Sequence, residues 1–350
     1  MKLEKLVRKN IQSLKPYSSA RDEFVGDADI FLDANENPFP SPYNRYPDPL
    51  QRELKRELSK IKNVDSSCLF LGNGSDEPID LLIRAYCEPN TDAILITPPT
   101  YGMYKVCADI NAVTVQEALL TAEFELDVEK VLTTIDDSTK IIFLCSPNNP
   151  SGNLLRADDI KKIINTFDGL VVLDEAYIDF SSSSGFISFL KDYPNLVILQ
   201  TLSKAWGLAG LRLGMCFAAP EIITVLNKIK YPYNINTSTQ SLVLEKVKAR
   251  EEVISNTEVI VKERERLEHE LSKISWIIKI HPSDANFLLV QVLDARYVYT
   301  AMLKRGIILR DRSNIPLCEN CIRITIGSPA ENKTLIENLK TITYDTKEQI

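Results

Sequence analysis

The chain has 350 residues, with 48 acids against 41 lysines and arginines and a formal charge of −7. That acidic balance argues against general nucleic-acid binding, which relies on clustered Lys and Arg to neutralise phosphates. At roughly 150 residues per domain the length suggests two domains, and a hydrophobic fraction of 44% is ample for a sizeable core.

No apolar run approaches the roughly 20 residues that cross a bilayer, so no membrane partner is expected. The N-terminus, MKLEKLVRKN, carries positive charge without an apolar block after it and does not read as a secretory signal. A cytoplasmic enzyme is the default expectation.

Residues 1–45 are irregular, with a Pro-rich segment, NPFPSPYNRYPDP, and read as an arm that packs on something else. Apolar runs of strand length follow: CLFLG (68–72), AILIT (93–97), KIIFLC (140–145), LVVLD (170–174) and LVILQ (196–200). Continuous Val, Ile and Leu, rather than alternation, suits strands buried on both faces. Between them lie helical patterns at 48–61, 76–87 and 157–167. Strand–helix alternation predicts a mainly parallel sheet flanked by helices. From 236 to 273 the chain is charged, helical in period and free of Gly and Pro, which predicts one or two long helices. Shorter strands and helices then follow, as in a small α+β domain. The expected division is an arm (1–45), a large domain (46–260) and a small C-terminal domain (261–350).

Five of the seven cysteines stand singly in apolar surroundings and read as reduced core thiols. Cys318 and Cys321 form a CxxC, but no second pair completes a four-ligand zinc site, so no metal is expected. The chain has two histidines. His269 sits in a charged helical run and His281 precedes a proline. Neither lies near a nucleophile elbow, which makes histidine-based hydrolysis a poor reading.

Four strand ends carry chemistry. Thr201-Leu202-Ser203-Lys204 follows LVILQ, and Arg212 stands eight residues on. A lysine beside hydroxyls and an arginine suits an amine that attacks an aldehyde whose companion phosphate needs anchoring. Gly72-Asn73-Gly74-Ser75-Asp76-Glu77 follows a strand and opens a helix, where backbone N–H groups can approach a phosphate. With Glu at 77 it fails G-x-G-x-x-G, which counts against a nicotinamide oxidoreductase. Alone, it reads equally as a helix N-cap at Ser75 or Asp76. Asp174 ends LVVL, where ligands bind in parallel sheets, and a buried carboxylate there needs a cation such as a pyridinium nitrogen. Ser146 to Gly152 is a Pro/Gly turn from which Asn149 could donate to a phenolate. A lysine, a pyridinium partner, a phenolate donor and a phosphate cup together describe pyridoxal phosphate.

The chain resembles the fold-type-I, class II pyridoxal-phosphate-dependent aminotransferases. The resemblance rests on KPYSSAR (15–21), LDANENPFP (32–40), RYPDP (45–49), PPTYGMY (98–104), SPNNPSG (146–152), DEAYIDF (174–180), TLSKAWGLAGLRLG (201–214), ILRDR (308–312) and CIRITIG (321–327). These motifs run in order from about residue 15 to 330. The resemblance implies an α/β fold with a large, mainly parallel sheet and a smaller α+β C-terminal domain. It makes Lys204 the lysine that carries the cofactor and Asp174 the partner of its ring nitrogen. Asn149 and Tyr177 would hydrogen-bond the ring phenolate, and Tyr101 would stack on the ring. Gly74, Ser75, Asp76, Thr201, Ser203 and Arg212 would hold the cofactor phosphate. Tyr46 would reach the cofactor phosphate of a neighbouring subunit, implying a homodimer. Tyr17, Asn35, Arg310 and Arg323 match substrate-binding positions. Ser151 and Trp206 stand where the family often has Thr and Phe, both mild changes.

The implied reaction is reversible amino transfer between histidinol phosphate and 2-oxoglutarate, yielding imidazole acetol phosphate and glutamate. Amino transfer from aromatic amino acids and decarboxylation of phosphothreonine are the alternatives within the fold. A non-catalytic regulator is disfavoured by the intact Lys204, Asp174 and Arg212.

Overall fold

A computed structural model describes residues 3–18 and 28–343; residues 19–21 of the motif at 15–21 lie outside the described residues. Among the described residues, seven strands build the large sheet in the order β1-β7-β6-β5-β4-β2-β3. They are β1 (Leu69–Asn73), β2 (Ala93–Ile96), β3 (Thr114–Glu117), β4 (Thr139–Cys145), β5 (Leu170–Asp174), β6 (Leu196–Thr201) and β7 (Leu213–Ala218). The five continuous apolar runs are β1, β2, β4, β5 and β6. Along β4 and β5, successive side chains enter opposite cores: Ile142, Leu144, Val171 and Leu173 on one side, Ile141, Phe143, Leu170 and Val172 on the other. Full burial of each such side chain stabilises by about 1.5–3 kcal/mol, which is why these strands show no polar alternation.

Two strands lay outside those runs. β3 is an edge strand of partly exposed, polar residues (TVQE). β7 runs antiparallel between β6 and β1. The chain from Thr201 to Leu213 turns back without the long helical crossover that parallel pairing needs. That return brings Arg212 beside the end of β1, where Gly74 N donates to Arg212 O at 2.8 Å.

The charged stretch resolves into two helices, Thr237–Lys248 and Arg250–Leu271, which meet at Ala249. The expected boundary at 260/261 falls inside the second. Beyond it, β8 (Ile277–Ile280), β9 (Phe287–Val292), β10 (Arg310–Asp311) and β11 (Cys321–Thr325) form an antiparallel sheet of order β10-β11-β9-β8. It packs against the second long helix and the helices Ala295–Lys304 and Pro329–Leu339 around its own core. Cys318 and Cys321 are buried free thiols at the start of β11, joined by a Cys321 N to Cys318 O hydrogen bond of 3.0 Å.

The loop between β8 and β9 meets the turn that follows β4. Asp284 N donates to Gly152 O at 2.8 Å, and Asp284 Oδ2 accepts from Leu154 N at 3.0 Å. Arg264, on the long helix, donates from Nη1 to Ala285 O at 2.7 Å and to Phe180 O at 3.4 Å.

Candidate active site

The carboxyl ends of β1, β4, β5 and β6 share one edge of the large sheet. Their register sets Cys145 beside Asp174, Asp174 beside Leu199, Thr201 beside Gly214 and Asn73 beside Leu213. A cavity of about 150 Å³ opens there. Its walls include ten of the expected residues: Ser75, Asp76, Tyr101, Asn149, Asp174, Tyr177, Thr201, Ser203, Lys204 and Arg212.

One end of the cavity is built for an anion. Gly74 has φ +74°, and a Cβ there would stand 2.6 Å from Arg212 Nη2. The left-handed backbone is what favours glycine here, and the missing Cβ lets the Arg212 guanidinium come close. Ser75 occupies the N-cap position of the helix Asp76–Tyr86 but makes no side-chain capping bond. The helix keeps its first amides and its favourable dipole end for a ligand. Arg212 is itself left-handed (φ 52°) and lies 3.8 Å from Asp76 Oδ2. Thr201 Oγ1 accepts from Ser203 N at 3.1 Å, which folds the two hydroxyl residues toward the same corner.

The other end surrounds a buried acid. Asp174 is 2% exposed. Burial pushes its carboxyl up to about 6, against hydrogen bonds from Tyr104 and Ala176 N that pull it down. Tyr104 Oη donates to Asp174 Oδ2 at 2.7 Å. Sequence reading missed this contact. Tyr104 lies within PPTYGMY, but nothing local says that its helix (Met103–Ile110) turns it under β5. Tyr101 donates to Asp76 Oδ1 at 3.0 Å and meets the Tyr104 ring edge-on at 5.6 Å. Tyr177 is buried edge-on against Phe287 at 5.2 Å. Lys204 Nζ lies 5.6 Å from the Tyr177 ring centroid. Although Lys204 is solvent-exposed in this single chain, its ammonium is shifted down by partial desolvation first and then by Arg323; Asp174 and Asp76 oppose the shift.

Arg323, on β11, closes the cavity from the small sheet. Its Nη1 donates to Asn149 Oδ1 at 2.5 Å, and its guanidinium lies 5.1 Å from the Phe287 ring centroid. Arg310 pairs directly opposite Arg323 across β10 and β11 and is exposed.

Three expected residues stand elsewhere in this chain. Tyr46 is 51% exposed and stacks on Tyr233 at 4.4 Å, in a depression that also includes Asn35. Tyr17 is 75% exposed and lines another groove with Arg84 and Tyr231.

The donor set fits pyridoxal phosphate. Free helix amides, two hydroxyls and Arg212 suit its phosphate. Asp174 is a buried acid held up in pKa for want of a strong cation, and a protonated ring nitrogen is such a cation. With its Oδ1 occupied by Arg323, Asn149 is left with an amide donor for a phenolate oxygen. Lys204 supplies the amine.

The chain matches known proteins along most of its length. Residues 34–339 match the family model "Aminotransferase class I and II". The histidinol-phosphate aminotransferase of Parabacteroides distasonis is 56% identical over 338 residues, spanning 97% of this chain and 98% of its own. The crystal structure of the histidinol-phosphate aminotransferase from Clostridium acetobutylicum superposes with a TM-score of 0.79 at 26% identity, over 88% of this chain and 97% of that one. The Sinorhizobium meliloti enzyme of the same name, in complex with pyridoxal-5′-phosphate, shares the fold with a TM-score of 0.78 at 23% identity, over 85% of this chain and 82% of that one. The chain is a fold-type-I aminotransferase and belongs to the histidinol-phosphate aminotransferase family of the class I and II aminotransferases.

Proposed function

We propose that the chain catalyses reversible amino transfer between L-histidinol phosphate and 2-oxoglutarate, giving imidazole acetol phosphate and L-glutamate, a step of L-histidine biosynthesis. The observation that carries this reading is the lysine cavity with Arg323 at its rim and Arg310 beside it. A guanidinium binds a phosphate or a carboxylate with the same fork, so one rim serves both partners.

Pyridoxal phosphate, when bound, supplies an electron sink for the pair left on the donor carbon as its proton departs. The residues of this chain do the rest. Lys204 Nζ takes that proton and returns it, and its lowered pKa enlarges the share of neutral amine available as base. Asp174 holds a proton on the ring nitrogen. Tyr177 and Asn149 donate to the phenolate oxygen, and Tyr101 packs on the ring. Gly74, Ser75, Asp76, Thr201, Ser203 and Arg212 hold the phosphate.

The active form is proposed to be a homodimer. Ile30, Leu32 and Phe39 are at least 75% exposed in the single chain, an apolar surface that favours a second protein surface over water. Tyr46, Tyr17 and Asn35, away from their own Lys204, are proposed to serve the neighbouring site. The arm 1–45, large domain 46–260 and small domain 261–350 remain the proposed division. A cytoplasmic setting suits seven free cysteines.

The test is glutamate-dependent amination of imidazole acetol phosphate by the purified protein. Formation of histidinol phosphate together with 2-oxoglutarate is expected; its absence overturns the reading.

A further inference from the structure

Arg312 lies two residues beyond Arg310, in the loop that leaves β10. Its N–H donates to Cys321 O at 2.9 Å and extends the β10–β11 ladder. Alternation along that ladder turns Arg312 to the same face as Arg310 and Arg323. Its Nε is buried and has no hydrogen-bond partner. Burial and then the charges of Arg323 and Arg310 pull its guanidinium down to about 10. The nearest acid in sequence, Asp311, faces the other way and accepts from Ser313 N and Oγ at 2.9 and 2.6 Å. Tyr177, a cavity wall, lies within electrostatic range of Arg312.

Three guanidiniums thus share one face, and among the described residues no carboxylate pairs with Arg312 or Arg323. Like charges at such range repel, and a buried donor left without an acceptor is destabilising. An arrangement of this kind is relieved by a strongly anionic ligand. The two partners of the proposed reaction differ in the anion they present. 2-Oxoglutarate spreads its two charges over two separate carboxylates, each a two-oxygen group that a single fork such as that of Arg323 can satisfy. A phosphate monoester near neutral pH has close to two charges and three terminal oxygens, and needs more donors.

We propose that Arg312 is a specificity-determining residue: with Arg310 it holds the phosphate of the phosphorylated partner, while the carboxylate of the acidic co-substrate is held without it. This rests on the functional reading above.

Steady-state kinetics of the holoenzyme test it with histidinol phosphate, unphosphorylated histidinol and 2-oxoglutarate. Arg312→Gln is expected to raise KM for histidinol phosphate about tenfold or more, a loss in the range of one charged hydrogen bond. The KM for 2-oxoglutarate and kcat should stay within about twofold. The preference for histidinol phosphate over histidinol should fall by the same factor as the affinity. Arg312→Lys, which keeps the charge but loses the fork, should recover part of that preference. It carries the same comparison if the Gln variant does not fold. A joint rise of KM for both partners, or an unchanged preference in an active variant, overturns the inference. No turnover of histidinol phosphate by the unaltered enzyme overturns the functional reading and the inference with it. Active wild type with unchanged variant selectivity overturns the inference alone.

Discussion

The hydroxyl of Tyr104 donates to Asp174 Oδ2 at 2.7 Å, with both residues buried and the Tyr104 ring stacked on Phe143 at 4.8 Å. The bond stabilises the ionised carboxylate, which exists above its pKa of about 6. Tyr104→Phe keeps the stacking and removes the bond. In cofactor-free protein at pH 8, urea unfolding should show a loss of about 1–3 kcal/mol, as for a hydrogen bond to a charged group. At pH 5, where Asp174 is mostly protonated, the loss should shrink. An equal loss at both values means that the bond does not discriminate between the two forms of the acid.

Lys204→Ala should abolish turnover and covalent attachment of the cofactor, read by activity and by visible absorbance. Full activity in this variant would sink the site assignment. Protomers carrying Lys204→Ala mixed with protomers carrying Tyr46→Ala should form hybrid dimers in which one site has neither defect. Activity above the sum of the two parents is the expected outcome. Simple additivity argues that Tyr46 does not serve the neighbouring site.

Arg323 touches Asn149 and faces Lys204. Arg323→Ala should raise KM for histidinol phosphate and for 2-oxoglutarate alike, by roughly tenfold or more each, the scale of a lost charged hydrogen bond. If neither apparent affinity moves, the role given to Arg323 is wrong.

Glu175, next to Asp174, does not line the cavity. Its carboxylate accepts from Phe186 N at 2.7 Å and Gln200 Nε2 at 2.9 Å, and burial raises it to about 7. A carboxylate raised in the folded state binds more protons there than when unfolded. Its contribution is therefore fully present below its ordinary value near 4.5 and fades as pH climbs to about 7. The full swing is on the order of 3 kcal/mol. Glu175→Gln mimics the protonated form, and the buried Gln200 Oε1, which has no partner, offers an acceptor if that amide turns over. Against wild type at matched cofactor, the Gln variant should gain relative stability between pH 5 and pH 8 in urea unfolding. A flat difference across that range would show that Glu175 does not titrate there.

Much of the large sheet was legible locally. LVVLD is β5 residue for residue, because a strand buried on both faces must be apolar throughout. β3 escaped because an edge strand carries no such demand. β7 escaped because its direction depends on how the chain returns from Lys204, not on its own residues. The CxxC thiols are buried in the core cluster that also holds Leu155, Phe186 and Ile235 of the large domain.

Sequence alone determined the kinds of residue at the strand ends: an amine, an acid, amide donors and a glycine-lined cup. Those follow from chemistry that tolerates few substitutes. Tertiary structure decided which of them meet. Register along one sheet edge brought Asp76, Asn149, Asp174, Lys204 and Arg212 to one cavity and left Tyr17, Asn35 and Tyr46 outside it. It also brought Tyr104 under Asp174, and Arg312 onto the face of Arg310 and Arg323. Such contacts join residues far apart in the chain, and their energy depends on distance and burial, which no local pattern encodes.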